Sequence, residues 1–227
     1  MDKPEVRFGE WIQDGFSLYK NNFGVLVVAS IIALVLSLVT VGILAGPMAA
    51  GLSLITLRLI DRTKPTPAAG DIFQGFRYFL QSFLFVLAWG IIVVVGSAIL
   101  SLIPCIGSLV TFALSLVIQA LLMFSFFLIV DAGMDFWPAS MASMRMVRRN
   151  FWPFLGFSIV ASLIGGVGAI LLGVGVVLTL PIEACIYAVA YREVFRERLG
   201  EFGFESTSSV DKTAGNAGPE QPKGPVS

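Results

Sequence analysis

The chain of 227 residues is 56% hydrophobic and only 13% charged, with 15 basic and 15 acidic side chains that cancel formally at pH 7. With a mean hydropathy of +0.87, this composition excludes an ordinary soluble domain. The absence of histidine also excludes a Ser–His or Cys–His nucleophile pair, a histidine metal site and a histidine proton relay.

Residues 1–7 form a short polar segment, followed by a first amphipathic stretch over 8–23. There Phe8, Trp11, Ile12, Phe16, Tyr19 and Phe23 recur at helical spacing, with Glu10, Gln13, Asp14, Ser17 and Lys20 opposite, which predicts a helix lying in the membrane interface. The uncharged run 21–57 that follows is too long for the h-region of a cleavable signal peptide. It also far exceeds the roughly 20 residues that one helix needs to cross about 30 Å of hydrocarbon. Gly42 to Pro47 therefore divides it into spans over 23–42 and 44–60.

The second amphipathic stretch, 71–83, opens with Asp71 and Gln74 in capping-box positions. The run 78–130 folds back at Pro104 to Gly107 and gives spans over 80–102 and 108–130. A third amphipathic stretch, 135–151, starts at Asp135 with Pro138 in its first turn. The last uncharged run, 150–182, folds at Gly173 to Pro181 into spans over 152–172 and 177–196. Beyond about residue 203 the chain is rich in Ser, Gly and Pro, the composition of a disordered tail over 203–227.

The fold class is thus all-α: one membrane domain over 8–202, with six transmembrane helices in three hairpins and amphipathic interfacial helices between them. No Lys or Arg falls in a hairpin turn. Arg58, Arg62, Lys64 and Arg77 share one connection, Arg145, Arg148 and Arg149 the other, and the termini hold the rest. The positive-inside rule places both termini and both long connections in the cytoplasm. The segments 47–58 and 181–192 each begin with Pro and end with Arg, with ten residues between, so the three hairpins read as copies of one unit.

Candidate sites are few. Glu183 and Gln119 are polar residues inside predicted spans, where a carboxylate is costly unless neutralised, paired or hydrated. Pro181 places Glu183 near the third position of the last helix, where free N–H groups and the helix dipole favour a carboxylate; a transport or proton-coupling role is the alternative. Gln119 is expected to bond between helices or to belong to a solute path. Ala161, Gly165, Ala169 and Gly173 make a small-residue stripe that lets another helix approach closely, within the chain or in a homo-oligomer or other membrane-protein complex. Arg145, Arg148 and Arg149 share one helical side near Phe136, Trp137 and Met141, placed to meet anionic headgroups of the bilayer or to mark topology alone.

Asp131 and Asp135 are expected as interfacial caps and partners of those arginines, and a helix joining them is interrupted by Gly133. The glycines of 165–175 lack the spacing of a phosphate loop. Cys105 and Cys185 both fall toward the outer face, where a disulfide and two lipid-buried thiols are the alternatives. No residue pattern calls for a cofactor or metal, and none suits nucleic acid.

The stretch VDAGMDFWPASMASMRMVRRNFWPFLGF (130–157), followed by LTLPIEACIYAVAYREVF (178–195), resembles bacterial integral-membrane proteins related to the membrane domain of glycerophosphoryl diester phosphodiesterases. That resemblance implies a multi-pass protein of the bacterial cytoplasmic membrane, with no reaction to carry over. The function expected is a non-enzymatic scaffold, assembly or lipid-organising factor. The alternative is a small transporter or permease for a lipid-like or small amphipathic solute, built around Glu183 and Gln119. A scaffold calls for a closed apolar bundle with exposed interfacial helices, and a transporter for a polar cavity at the midplane.

Overall fold

The computed structural model describes residues 6–102, 107–170 and 174–195, and all regular structure among them is helical. Most of the turn Pro104 to Gly107 and the tail lie outside these residues; of the turn expected over Gly173 to Pro181 only Gly173 does, and Val174 to Pro181 are helical instead.

The first amphipathic stretch is α1 (Phe8–Asn21), which meets α2 (Phe23–Val39) at 90°. Two asparagines make this corner. Asn22 turns its side-chain amide back to the Leu18 carbonyl at 3.0 Å, and its backbone N–H to Tyr19, so local bonds end α1. Trp11, Gly15 and Tyr19, spaced by four, form the buried face of α1. The turn after α2 spans Thr40 to Leu44, with Val41 and Gly42 at positive φ of 51° and 86°. Thr40 satisfies the turn from within, donating its hydroxyl to Leu36 (2.7 Å) and accepting the Leu44 N–H (3.2 Å).

Next comes α3 (Ala45–Ile60), then a 3-10 helix (Ala69–Tyr78) that runs into α4 (Phe79–Ser101). Asp71 does not open that segment, as the capping-box spacing suggests, but lies two residues inside it. Its carboxylate accepts the backbone N–H of Ala68 at 2.9 Å and the Gln74 amide at 2.8 Å. The predicted fourth span is broken into α5 (Gly107–Leu122) and α6 (Ser125–Asp131). Ser143, from α7 (Phe136–Arg149), repairs the break by donating to the Leu121 carbonyl (2.7 Å) and accepting the Phe124 N–H (3.4 Å). Without such a partner, irregular backbone in an apolar setting is costly. As Gly133 implies, α6 stops at Asp131, and Gly133 takes a φ of +62°. Asp135 then starts α7, with Pro138 in the first turn. The last elements are α8 (Phe151–Ile170) and α9 (Val174–Phe195).

Consecutive helices α2 and α3, α4 and α5, and α8 and α9 pack on each other as the hairpin reading expects. At the hub is α9, which also receives α1, α2 and α3. The amphipathic helices are less superficial than expected. Gly15 brings α1 against the backbone of Ile186, and Trp11 packs on Phe157 with ring centroids 5.0 Å apart, so the apolar face of α1 is largely spent on protein.

Among the described residues, length and composition mark some helices as membrane spans. Three are long and apolar enough to cross: Ala69–Leu100, Gly107–Asp131 and Gly175–Phe195; the bent pair α1 and α2 makes a fourth if taken as one span. The 16 residues of α3 reach only about 24 Å at 1.5 Å per residue, short of about 30 Å of hydrocarbon, whereas the 20 residues of α8 reach about 30 Å. Ala69–Leu100 is only 6% buried over its most apolar stretch, and Ile91, Val94, Val95 and Ile99 stand exposed along it. An apolar surface of that length suits lipid rather than water.

Candidate functional site

A cavity of about 380 Å³ opens between α3, α4, α5, α6 and α9. Its wall is mostly apolar, with Leu52, Phe85, Met123, Phe126, Phe127 and Leu180 prominent, and its polar groups are Ser53, Gln119, Glu183 and Tyr187. The two residues singled out inside predicted spans thus share one cavity wall. A mostly apolar pocket of this size with a few convergent polar groups has the general form of a small-molecule site.

The end of α9 is not where the carboxylate sits. Because that helix begins at Val174, Pro181 lies inside it and Glu183 falls near the middle of its 22 residues, away from the free N–H groups of a first turn. The helix-cap expectation for Glu183 is therefore overturned. Two residues before the proline, the Thr179 hydroxyl is shared between Gly165 O on α8 at 2.7 Å and Gly175 O at 3.1 Å, which ties this part of α9 to α8.

From α5, the Gln119 amide donates to Ser162 Oγ on α8 at 2.8 Å and approaches Glu183 Oε1 at 3.4 Å. Ser162 Oγ lies 3.4 Å from the Tyr187 hydroxyl, and the four side chains join α5, α8 and α9. The interhelical bonding expected of Gln119 is present, in the cavity wall itself. Gly165 makes room for Glu183, since a Cβ there would collide with Oε2. Ala161, one turn earlier, is fully buried. The first half of the small-residue stripe thus serves packing within the chain; the side chain of Ala169 and all of Gly173 lie outside the described residues.

A second polar cluster ties helix ends together below the cavity. Arg192 on α9 reaches Asp131 at the end of α6 (2.8 Å) and Asp61 after α3 (2.5 Å), while the Tyr191 hydroxyl donates to Asp131 at 3.0 Å. Asp131 is 4% exposed at its side chain. Arg192 joins Asp131 because α9 ends beside α6. Asp135 accepts the Gln81 amide at 2.6 Å. Nearby, Glu193 accepts the Trp11 indole N–H at 2.6 Å and pairs with Arg7 at 3.3 Å, which pins α1 to α9.

Arg145, Arg148 and Arg149 are exposed on one side of α7, with Trp137 and Trp152 also exposed close by in sequence. They stand apart from the cavity. Cys185 is buried among Leu26, Met48 and Ile55, and Cys105 lies outside the described residues, as does the disulfide alternative with it.

Two participants went unread in the sequence. Tyr187 and Arg192 look like the polar ending of an apolar helix, yet Glu183, Tyr187 and Tyr191 recur every four residues on one face of α9, a polar ladder visible in the sequence. Ser162 gave no signal, as a single serine in an apolar span is unremarkable.

No protein-family model matches the chain, nor does any curated protein or solved structure. The site is read from its own residues.

Proposed function

We propose that the chain is a non-enzymatic, six-span protein of the bacterial cytoplasmic membrane that takes up a lipid-like or small amphipathic solute in its central cavity. The observation that carries this reading is the meeting of Gln119, Glu183 and Tyr187 in one largely apolar cavity near the middle of α9. A scaffold asks for a closed bundle, and its interfacial helices for free apolar faces; here a cavity opens between five helices and much of the apolar face of α1 is used in packing. Both termini lie in the cytoplasm, with α3 crossing where the bilayer thins or the flanking residues snorkel. Arg145, Arg148 and Arg149 then face the anionic headgroups of the inner leaflet.

A photoreactive long-chain alcohol bearing a diazirine tests the cavity. In reconstituted membranes it should label Met123 or Phe127, and Ala184→Phe, which fills the cavity, should abolish that labelling while labelling of the exposed Leu109 and Phe112 on α5 persists. Unchanged cavity labelling in Ala184→Phe, or labelling confined to Leu109 and Phe112, overturns the reading.

Orientation has its own test. In a background lacking the native cysteines, single cysteines at Lys64 and Arg149 should resist a membrane-impermeant thiol reagent in intact cells and react after lysis. Reaction in intact cells reverses the topology.

A further inference from the structure

We infer that the cavity selects a positively charged amphipath, a long-chain ammonium, with Glu183 as its counter-ion; this rests on the cavity reading above. The fold treats two of its carboxylates differently, the buried Asp131 and the half-buried Glu183. Asp131 is matched inside the chain by the Arg192 guanidinium and the Tyr191 hydroxyl. The partners of Glu183 are neutral: the Tyr187 hydroxyl, and at 3.4 Å the Gln119 amide, which makes its shorter bond to Ser162. No Lys or Arg lines the cavity, and among the described residues none forms an ion pair with Glu183.

A carboxylate in an apolar bundle requires a partner that neutralises it, and a ligand carrying its own cation supplies one. The remaining wall suits the same ligand. Phe85 and Phe126, with centroids 4.7 Å apart, Phe127 and Tyr187 present aromatic surface within the cavity, and an ammonium is attracted to such rings. Leu52, Leu122, Met123 and Leu180 cover an alkyl chain. An anionic amphipath finds no donor here beyond Gln119 and the hydroxyls, and faces the charge of Glu183. Coulombic discrimination of this kind works by repelling the wrong sign as well as by attracting the right one.

Three diazirine probes of equal chain length, ending in a primary ammonium, an alcohol or a carboxylate, decide the matter. The ammonium probe should label Met123 or Phe127 at a concentration at least tenfold below the alcohol, and the carboxylate probe should label weakest. Glu183→Gln should remove the ammonium advantage, so that the ammonium and alcohol probes label the cavity at similar concentrations. Gln119→Leu, which keeps the carboxylate, should retain the advantage, so the question stays decidable if Glu183→Gln does not fold. Equal labelling by all three probes, or an ammonium preference that survives Glu183→Gln, overturns the cation assignment and leaves the cavity reading standing. Absence of cavity labelling by every probe overturns both.

Discussion

Arg192→Leu should destabilise the bundle by about 3–5 kcal/mol, the range for removing one partner of a buried ion pair. The guanidinium is the bolt between three helices: Nη1 meets Asp131 on α6, Nη2 meets Asp61 at the end of α3, and the arginine itself belongs to α9. Leucine fills the space of the side-chain stem but leaves Asp131, 4% exposed, with a charge and no cation from α9. Asp61, at 30% exposure, still reaches water and contributes less. The assignment predicts a rescue. Arg192→Leu combined with Asp131→Asn removes the buried charge and keeps an acceptor for the Tyr191 hydroxyl, so it should recover most of the loss. Denaturation in mixed micelles of mild detergent and SDS measures both variants. A single mutant as stable as the wild type, or a double mutant no better than the single, would show that the cluster does not hold the helix ends.

What the sequence discloses here follows from the physics of each feature. Uncharged runs and Gly–Pro breaks locate α2, α3, α4, α8 and α9 to within a few residues, because the composition of a membrane helix is set by its solvent. The break between α5 and α6 is invisible in an unbroken apolar stretch, since it is licensed by Ser143 from a different helix. Span number is likewise underdetermined by composition, as α3 is apolar enough but only 16 residues long. The polar residues Glu183 and Gln119 stand out as chemical exceptions within their runs, whereas their convergence depends on how α5 and α9 pack. Pro181 misleads about the start of α9, because a proline is tolerated inside a membrane helix when neighbouring groups satisfy the freed backbone. The small-residue stripe points correctly to α8 and α9, yet the tightest backbone approach lies elsewhere, where AGPM and AAG in α3 meet a glycine of the 3-10 helix.

That approach gives the second large effect: Gly75→Val should cost at least the 1–3 kcal/mol typical of overpacking. A Cβ on Gly75 would run into the carbonyl oxygen of Pro47 and the backbone of Gly51, and a Cβ on Gly51 would run into the carbonyl of Ile72. Each obstacle is main chain, which cannot rotate aside as a side chain can. The two glycines therefore set the distance between the 3-10 helix and α3, whose Ala49, Leu52 and Ser53 form part of the cavity wall. Relief has to come from separating these elements, so Gly75→Val should also weaken cavity labelling by the alcohol probe, linking a packing defect to the site. Gly90 is the matched control, a helical glycine in α4 with nothing within 4 Å of an added Cβ. Gly90→Ala should leave cavity labelling unchanged and stabilise by about 0.5–1 kcal/mol, because alanine loses less backbone freedom in a helix. If Gly75→Val and Gly90→Ala unfold at the same SDS fraction and label alike, the 3-10 helix does not seat on α3 through these glycines.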